Sequence, residues 1–215
     1  MPLILSSPLD EETIDDLLYY ARTGDKESLE TDLTSFAEKD STKPLLLVQA
    51  AVDPVTGNSL AHYACANAHK EILAYICGLD ADLAPKSAIT TILTLPNSSG
   101  NTPLHYAAMN GHLDLVKFLL DTLKSSASEQ EQSAYLSRKN DAGHDATYEA
   151  ESAAKEDVVN FLLAAMDEAD MGMEAKAGAG VEDDDVDADA DAENGSSSVQ
   201  VVAEGVNDMN VSKDD

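Results

Sequence analysis

One motif returns every 43 residues, and this repeat constrains the fold more than any other feature of the sequence. Its clearest copy covers residues 97–108, NSSGNTPLHYAA, and leads into residues 111–120, GHLDLVKFLL. Copies before and after it keep the same register, as three evenly spaced glycines show: Gly57, Gly100 and Gly143. A unit of this size cannot bury its apolar faces alone, and we therefore expect the copies to stack against one another.

Each part of the motif has a physical task in a pair of helices that follows a turn. The Asx-x-x-Gly segment makes a tight turn, because glycine takes a positive φ without steric cost. Thr102 suits a helix N-cap and Pro103 suits the first turn, while Gly111 separates this helix from a second one with an apolar stripe. The run Thr-Pro-Leu-His-Tyr-Ala at residues 102–107 resembles the ankyrin-repeat signature. This resemblance implies an all-α ankyrin-repeat solenoid.

The register predicts about four repeats with extended connectors between them. The predicted repeats cover residues 10–40, 53–79, 97–122 and 140–166. The first repeat has no turn segment and the fourth replaces Thr-Pro-Leu-His with Asp-Ala-Thr-Tyr, and both departures are typical of capping repeats. The spacing exceeds the ankyrin period of about 33 residues by roughly ten. We expect the additional residues to form connectors that contain short helices at residues 87–95 and 129–136.

Composition divides the chain near residue 166. Residues 1–166 hold 25 acidic and 11 basic residues and are predicted to form the ankyrin-repeat domain. Residues 167–215 hold 16 acidic and 2 basic residues and no aromatic residue. Such a segment cannot bury enough apolar surface to offset the entropy of ordering, so we predict a disordered acidic C-terminal tail. Its apolar patch at residues 198–202 could pair with a partner as a short strand, although we favour a solvated segment.

The charge of the chain bounds its partners. The 215 residues carry a formal net charge of −28, which argues against direct contact with nucleic acid or an anionic membrane. A strong negative field favours a basic partner. Two cysteines cannot form a disulfide framework, and we find no secretory signal and no apolar run long enough to span a membrane. We expect a soluble protein of a reducing compartment that is a monomer when free.

Residues that could form a metal site or a catalytic site have a structural explanation instead. His62, Cys65, His69 and Cys77 do not have the spacing of a standard zinc site, and the repeat register gives each one a place in the fold. The acidic run at residues 183–189 lacks the central glycine and the closing glutamate of a calcium loop. No common catalytic motif is present. We therefore expect no enzymatic activity, no catalytic residue, no metal and no cofactor.

Ankyrin arrays bind partners through their turn tips and the exposed side of their first helices. Transferred to this register, the predicted partner-binding residues are Asp15, Tyr19, Arg22, Thr56, Asn58, Tyr63, Asn67, Ser99, Asn101, Tyr106, Met109, Asn110, Asp141, His144, Glu149 and Ser152. This set combines aromatic and methionine side chains with carboxylates, which suits an amphipathic basic segment. The alternative is that the tyrosines only complete the packing of the helices.

Three stretches are more specific than the ankyrin motif. They are residues 7–12 (SPLDEE) followed by 21–25 (ARTGD), residues 138–158 (RKNDAGHDATYEAESAAKEDV), and the acidic tail followed by residues 198–201 (SVQV). They resemble the family of ankyrin-repeat chaperones dedicated to ribosomal protein S three, the KH-domain protein of the small ribosomal subunit. This resemblance implies a role in ribosome biogenesis, in the cytoplasm and the nucleus. Such a chaperone binds the N-terminal region of its basic client and keeps it soluble until the client joins the pre-ribosome.

Two other functions stay open on the residues alone, because the ankyrin fold has many functions. The chain could be a generic adaptor or inhibitor that binds a signalling or transcription protein. It could also be a histone-type chaperone that acts mainly through its acidic tail. Deleting the tail separates these possibilities, because only the last one needs the tail for binding.

Overall fold

The structure is a computed structural model that describes residues 9–79 and 86–177. Within these ranges the chain forms eleven α-helices. One isolated antiparallel bridge, between Val52 and Ser59, lies between two of the helices. The helices are α1 (Glu11–Thr23), α2 (Lys26–Lys39), α3 (Pro44–Ala50), α4 (Leu60–Ala66), α5 (Lys70–Gly78), α6 (Lys86–Thr94), α7 (Pro103–Asn110), α8 (Leu113–Ser126), α9 (Glu129–Leu136), α10 (Ala146–Ser152) and α11 (Glu156–Ala177). The all-α prediction is confirmed.

Four helix pairs correspond to the predicted ankyrin repeats. Each pair has an inner helix (α1, α4, α7 or α10) and an outer helix (α2, α5, α8 or α11), and the inner helices pack in sequence along the stack. Ala64, Ala107, Ala108 and Ala150 are fully buried along the inner helices, where small side chains let neighbouring backbones approach closely. The outer helices supply larger core residues: Ile72, Leu73, Ile76, Leu115, Val116, Leu119, Val158 and Leu162.

The turns between repeats are joined by hydrogen bonds. The Asp53 carboxylate accepts bonds from the backbone N–H groups of Val55 (2.9 Å) and Thr56 (3.0 Å), which closes the first turn. The backbone N–H of Ser98 then donates to the carbonyl oxygen of Thr56 (2.9 Å). The same link recurs one repeat later, from the N–H of Asp141 to the carbonyl oxygen of Ser99 (3.0 Å). The turns therefore form a continuous edge of the stack.

The connector helices are where the sequence placed them, within one residue at each end. Helix α6 and helix α9 match the predicted short helices, and α3 is an additional connector helix after the first repeat. Leu93 and Leu136 are buried, and the Tyr135 hydroxyl donates to the carbonyl oxygen of Leu93 (2.9 Å). Helix α6 packs on α8, and α9 packs on α8 and α11. The connectors thus cover the outer helices with further apolar surface.

The last helix continues through the boundary predicted between residues 166 and 167. Helix α11 has 22 residues (Glu156–Ala177) and crosses this boundary, and Met166 and Ala169 on either side of it pack against the core. Residues 167–177 are therefore helical. The predictions of disorder at residues 178–215 and of an apolar patch at 198–202 lie outside the described residues. In the part that is described, no helix is both long enough and apolar enough to cross a bilayer.

Two glycines offer a matched test of turn stacking. Gly100 and Gly143 both have a positive φ (+74° and +81°), which costs an alanine about 1–2 kcal/mol. A Cβ on Gly100 would also lie 2.8 Å from Oδ1 and 2.9 Å from the backbone nitrogen of Asp141, whereas a Cβ on Gly143 meets nothing within 4 Å. We expect Gly100→Ala to lower the free energy of unfolding more than Gly143→Ala, as measured by urea denaturation. Equal losses would show that the next turn moves aside at no cost.

Candidate partner-binding site

The candidate site is the inner-helix face, which we define as the turn tips and the exposed side of α1, α4, α7 and α10. Ten of the sixteen predicted residues are exposed there: Asp15, Tyr19, Arg22, Thr56, Asn67, Ser99, Met109, Asn110, Asp141 and Ser152. Tyr63, Asn101, Tyr106, His144 and Glu149 are half-buried, and Asn58 is buried. The stack thus brings most of the predicted set to one surface.

A row of equivalent positions crosses this face from the first repeat to the last. Tyr63, Tyr106 and Glu149 each stand six residues after the turn glycine of their repeat, and Tyr19 has the same register in the first repeat. The Tyr63 hydroxyl donates to the carboxylate of Asp53 (2.7 Å). One and two repeats later, the Tyr106 hydroxyl and the Glu149 carboxylate each accept a bond from the turn asparagine of their own repeat. Hydrogen bonds to the turns therefore hold the row in place.

Arg22 covers one member of the row. Its guanidinium carbon lies 4.6 Å from the centre of the Tyr63 ring, a distance typical of a cation–π contact. Arg22 belongs to α1 and Tyr63 to α4, so this contact also joins the first two repeats. Tyr19, which has the register of Tyr63 in the first repeat, is 57% exposed.

Apart from Asp53, whose carboxylate accepts bonds from its own turn and from Tyr63, the carboxylates of the inner-helix face lie at its two ends. Glu11 and Asp15 are exposed one turn apart on α1, and Asp141 and Glu149 belong to the fourth repeat. The positions between them carry aromatic, methionine and amide side chains. A partner that fits this pattern is apolar in the middle and positively charged at both ends.

Two predicted contact residues have a structural role in the stack. The side-chain oxygen of Asn58 accepts a bond from Nδ2 of Asn97 (2.8 Å), and the side-chain oxygen of Asn101 accepts one from Nδ2 of Asn140 (2.8 Å). Asn58 is only 9% exposed. These amides connect one turn to the next, which the sequence pattern of a single repeat does not show.

The signature histidines also connect the repeats. The backbone N–H of Ser59 donates to Nδ1 of His62 (3.1 Å), which places the ring proton on Nε2, and Nε2 donates to the carbonyl oxygen of Asn101 (2.9 Å). His105 repeats this arrangement between Thr102 and the carbonyl oxygen of His144. Burial lowers the pKa of His62 to about 4 and also lowers the pKa of His105. Both rings are therefore neutral at pH 7.

The other residues considered as metal ligands either make a hydrogen bond within the fold or are protonated thiols. His69 Nε2 bonds the carbonyl oxygen of Arg22 (3.0 Å). Burial raises the pKa of the Cys65 thiol, and it raises the pKa of Cys77 to about 11, so neither thiol is a thiolate at neutral pH. In the ranges that the structure describes, no group of three or more His, Cys, Asp or Glu side chains is placed to hold a metal ion.

Sequence reasoning missed Tyr148. The residue is 47% exposed, and its ring lies 4.0 Å from the His144 ring, measured between centroids. Tyr148 has the register of the signature histidines, which in earlier repeats bond to the repeat that follows. The structure describes no repeat after the fourth one, so this position is open to solvent. The replacement of histidine in the last repeat was the signal that could have identified it.

The buried histidine predicts how stability changes with pH. The ordinary pKa of histidine is 6.5, so the contribution of neutral His62 is complete above about pH 6.5 and is lost as the pH falls toward 4. His62→Gln keeps an N3 capping side chain but does not titrate. We expect the stability advantage of the wild type over this variant to shrink by about 2 kcal/mol between pH 7.5 and pH 5. Denaturation at both pH values measures it, and an advantage that stays constant would contradict the assignment.

Comparison with known proteins agrees with this geometry. A family model of ankyrin repeats in many copies matches residues 61–120. No curated protein sequence gives a significant match. The crystal structure of the yeast ribosomal protein Rps3 in complex with its chaperone Yar1 contains a chain that is 31% identical to this one, with a TM-score of 0.62. The match covers 74% of this chain and 97% of that chain. The protein therefore belongs to the family of dedicated ankyrin-repeat chaperones of which yeast Yar1 is a member.

Proposed function

We propose that this protein is the dedicated chaperone of the small-subunit ribosomal protein S three, called Rps3 in yeast. It binds the N-terminal region of the client and keeps it soluble until the client enters the pre-ribosome. The observation that carries this proposal is the match over nearly the whole length of a chain from the Rps3–Yar1 complex. Ankyrin repeats and a chaperone relative both indicate a protein-binding function.

The electrostatics of the chain support a ribosomal client. A protein that contacts ribosomal RNA must carry Lys and Arg to neutralise phosphates, and when free it is attracted to any RNA. This chain has 41 acidic and 13 basic residues, and it places carboxylates at both ends of the inner-helix face. A partner of opposite charge associates faster and can compete with RNA for the basic surface.

Two parts of the chain divide the work in this proposal. The stacked repeats recognise the shape and charge of one client segment. Residues 181–215 carry 12 acidic residues and one lysine, and they add a negative field that opposes aggregation and RNA capture. The chaperone is a monomer when free; it meets its client in the cytoplasm and accompanies it into the nucleus without direct contact to nucleic acid or membrane.

Truncation separates the two contributions. We expect the full chain and a chain that ends at Gly180, shortly after the described part of α11, to bind ribosomal protein S three with Kd values within about threefold. Both affinities should fall as salt is raised, because ionic contacts contribute. The truncated chain should protect the client less well against aggregation. Isothermal titration at two salt concentrations and light scattering of the client measure these quantities.

The alternatives give different results in the same experiment. Loss of binding on truncation would indicate a tail-driven chaperone of the histone type. Absence of binding by either folded chain would indicate a generic ankyrin adaptor, and an unbiased affinity purification would then identify the partner. Equal protection by both chains would exclude the proposed role of residues 181–215.

A further inference from the structure

A small cavity opens on the inner-helix face between α7 and α10. Its volume is about 110 Å³, and it is lined by Asn101, His105, Tyr106, Met109 and Glu149. About 10–15 Å³ of such volume is enough for one water molecule, so the cavity has room for a group of several heavy atoms. It lies between the third and fourth repeats.

Glu149 gives this cavity a negative charge that is only partly compensated. Its Oε1 atom accepts a bond from Nδ2 of Asn140 (2.9 Å) and lies 3.2 Å from Nδ1 of His144. Among the residues that the structure describes, Oε2 has no hydrogen-bond partner. The side chain is 19% exposed, so its carboxylate interacts with a nearby cation more strongly than a fully solvated one does.

The other residues that line the cavity can contact the aliphatic part and the planar head group of a basic side chain. Tyr106 contributes an aromatic ring, and Met109 contributes a flexible apolar side chain that is 38% exposed. His105 lines the cavity as a neutral ring, because burial lowers its pKa, and it therefore does not repel a cation.

At the contact between the first and second repeats, which we call the first joint, the chain's own cation lies at the positions that correspond to the cavity. The contact between the third and fourth repeats is the third joint. At the first joint, Arg22 of the first repeat lies against the Tyr63 ring of the second. In the register of the repeats, Arg22 corresponds to Met109 and Tyr63 corresponds to Glu149. At the third joint, Met109 therefore stands in place of the cation Arg22, and the carboxylate of Glu149 stands in place of the aromatic ring of Tyr63.

We propose that the cavity between α7 and α10 binds an arginine side chain of the partner, with the guanidinium against Glu149 and the stem on Tyr106 and Met109. This inference takes the identity of the partner from the proposed function, whereas the chemistry of the cavity stands on the geometry alone. A guanidinium suits the site better than an ammonium, because its planar fork of N–H donors matches the two oxygens of a carboxylate.

The cavity can be tested without the client. The full chain is labelled on its methionine methyl groups, the Met109 signal is assigned with Met109→Leu, and N-acetyl-arginine amide is titrated by NMR. We expect a saturable shift of the Met109 signal at millimolar ligand. N-acetyl-citrulline amide, which has nearly the same shape and no charge, should cause no such shift.

Two variants with the same change in net charge provide the control. Glu149→Gln keeps an acceptor for Asn140, while Glu151→Gln changes an exposed residue of the same helix that does not line the cavity. Glu149→Gln should weaken the binding of N-acetyl-arginine amide at least tenfold, and Glu151→Gln should leave it unchanged within twofold. No shift in the wild type, equal shifts with citrulline, or equal effects of the two variants would overturn the proposal.

The affinity for the client is a second measurement, and it distinguishes failure of the arginine site from failure of the proposed function. Glu149→Gln should raise the Kd for ribosomal protein S three about tenfold, whereas Glu151→Gln should change it less than twofold. Equal Kd values for the two variants would refute the arginine site and leave the proposed function intact. Absence of binding by the wild type would refute the proposed function, and the titration with N-acetyl-arginine amide would still decide the chemistry of the cavity.

Discussion

The buried hydrogen bond from each signature histidine to the next repeat is the interaction on which the stack depends. His62 and His105 each accept a bond from the backbone at the start of their own helix and donate one to a backbone carbonyl of the following repeat. Both rings are almost completely buried, so loss of either bond would leave polar groups without water or a partner. This requirement fixes the distance and the register between neighbouring repeats.

The inner-helix face follows from that fixed register. Because the repeats cannot slide, residues six and nine positions after each turn glycine form continuous rows across different helices. The row that contains Tyr63, Tyr106 and Glu149 is aromatic for most of its length and ends in a carboxylate. The neighbouring row begins with a cation at Arg22 and passes through Met109. The side chains in both rows change along the stack. The binding surface therefore has no internal symmetry, although the protein is built from similar units.

Much of the fold was predictable, because the residues that define it act locally. Turn glycines, the Thr102-Pro103 helix start and the short connector helices all depend on neighbours within a few positions, and the structure places them as expected. The continuation of α11 past residue 166 was not predicted, since α11 packs against α8 and α9, and contacts between separate helices are not local. The roles of Asn58 and Asn101 were missed for the same reason, because their partners lie 39 residues away in sequence.

The sequence by itself determined the number of repeats, the positions of most helices and the excess of negative charge. Periodicity and capping are properties of short segments, and net charge is a sum over the chain, so none of them requires a three-dimensional structure. Only the tertiary structure decided which polar side chains join the repeats and which face the partner. It also decided that Tyr106, Met109 and Glu149 share one cavity, because residues 43 positions apart become neighbours only when the repeats stack.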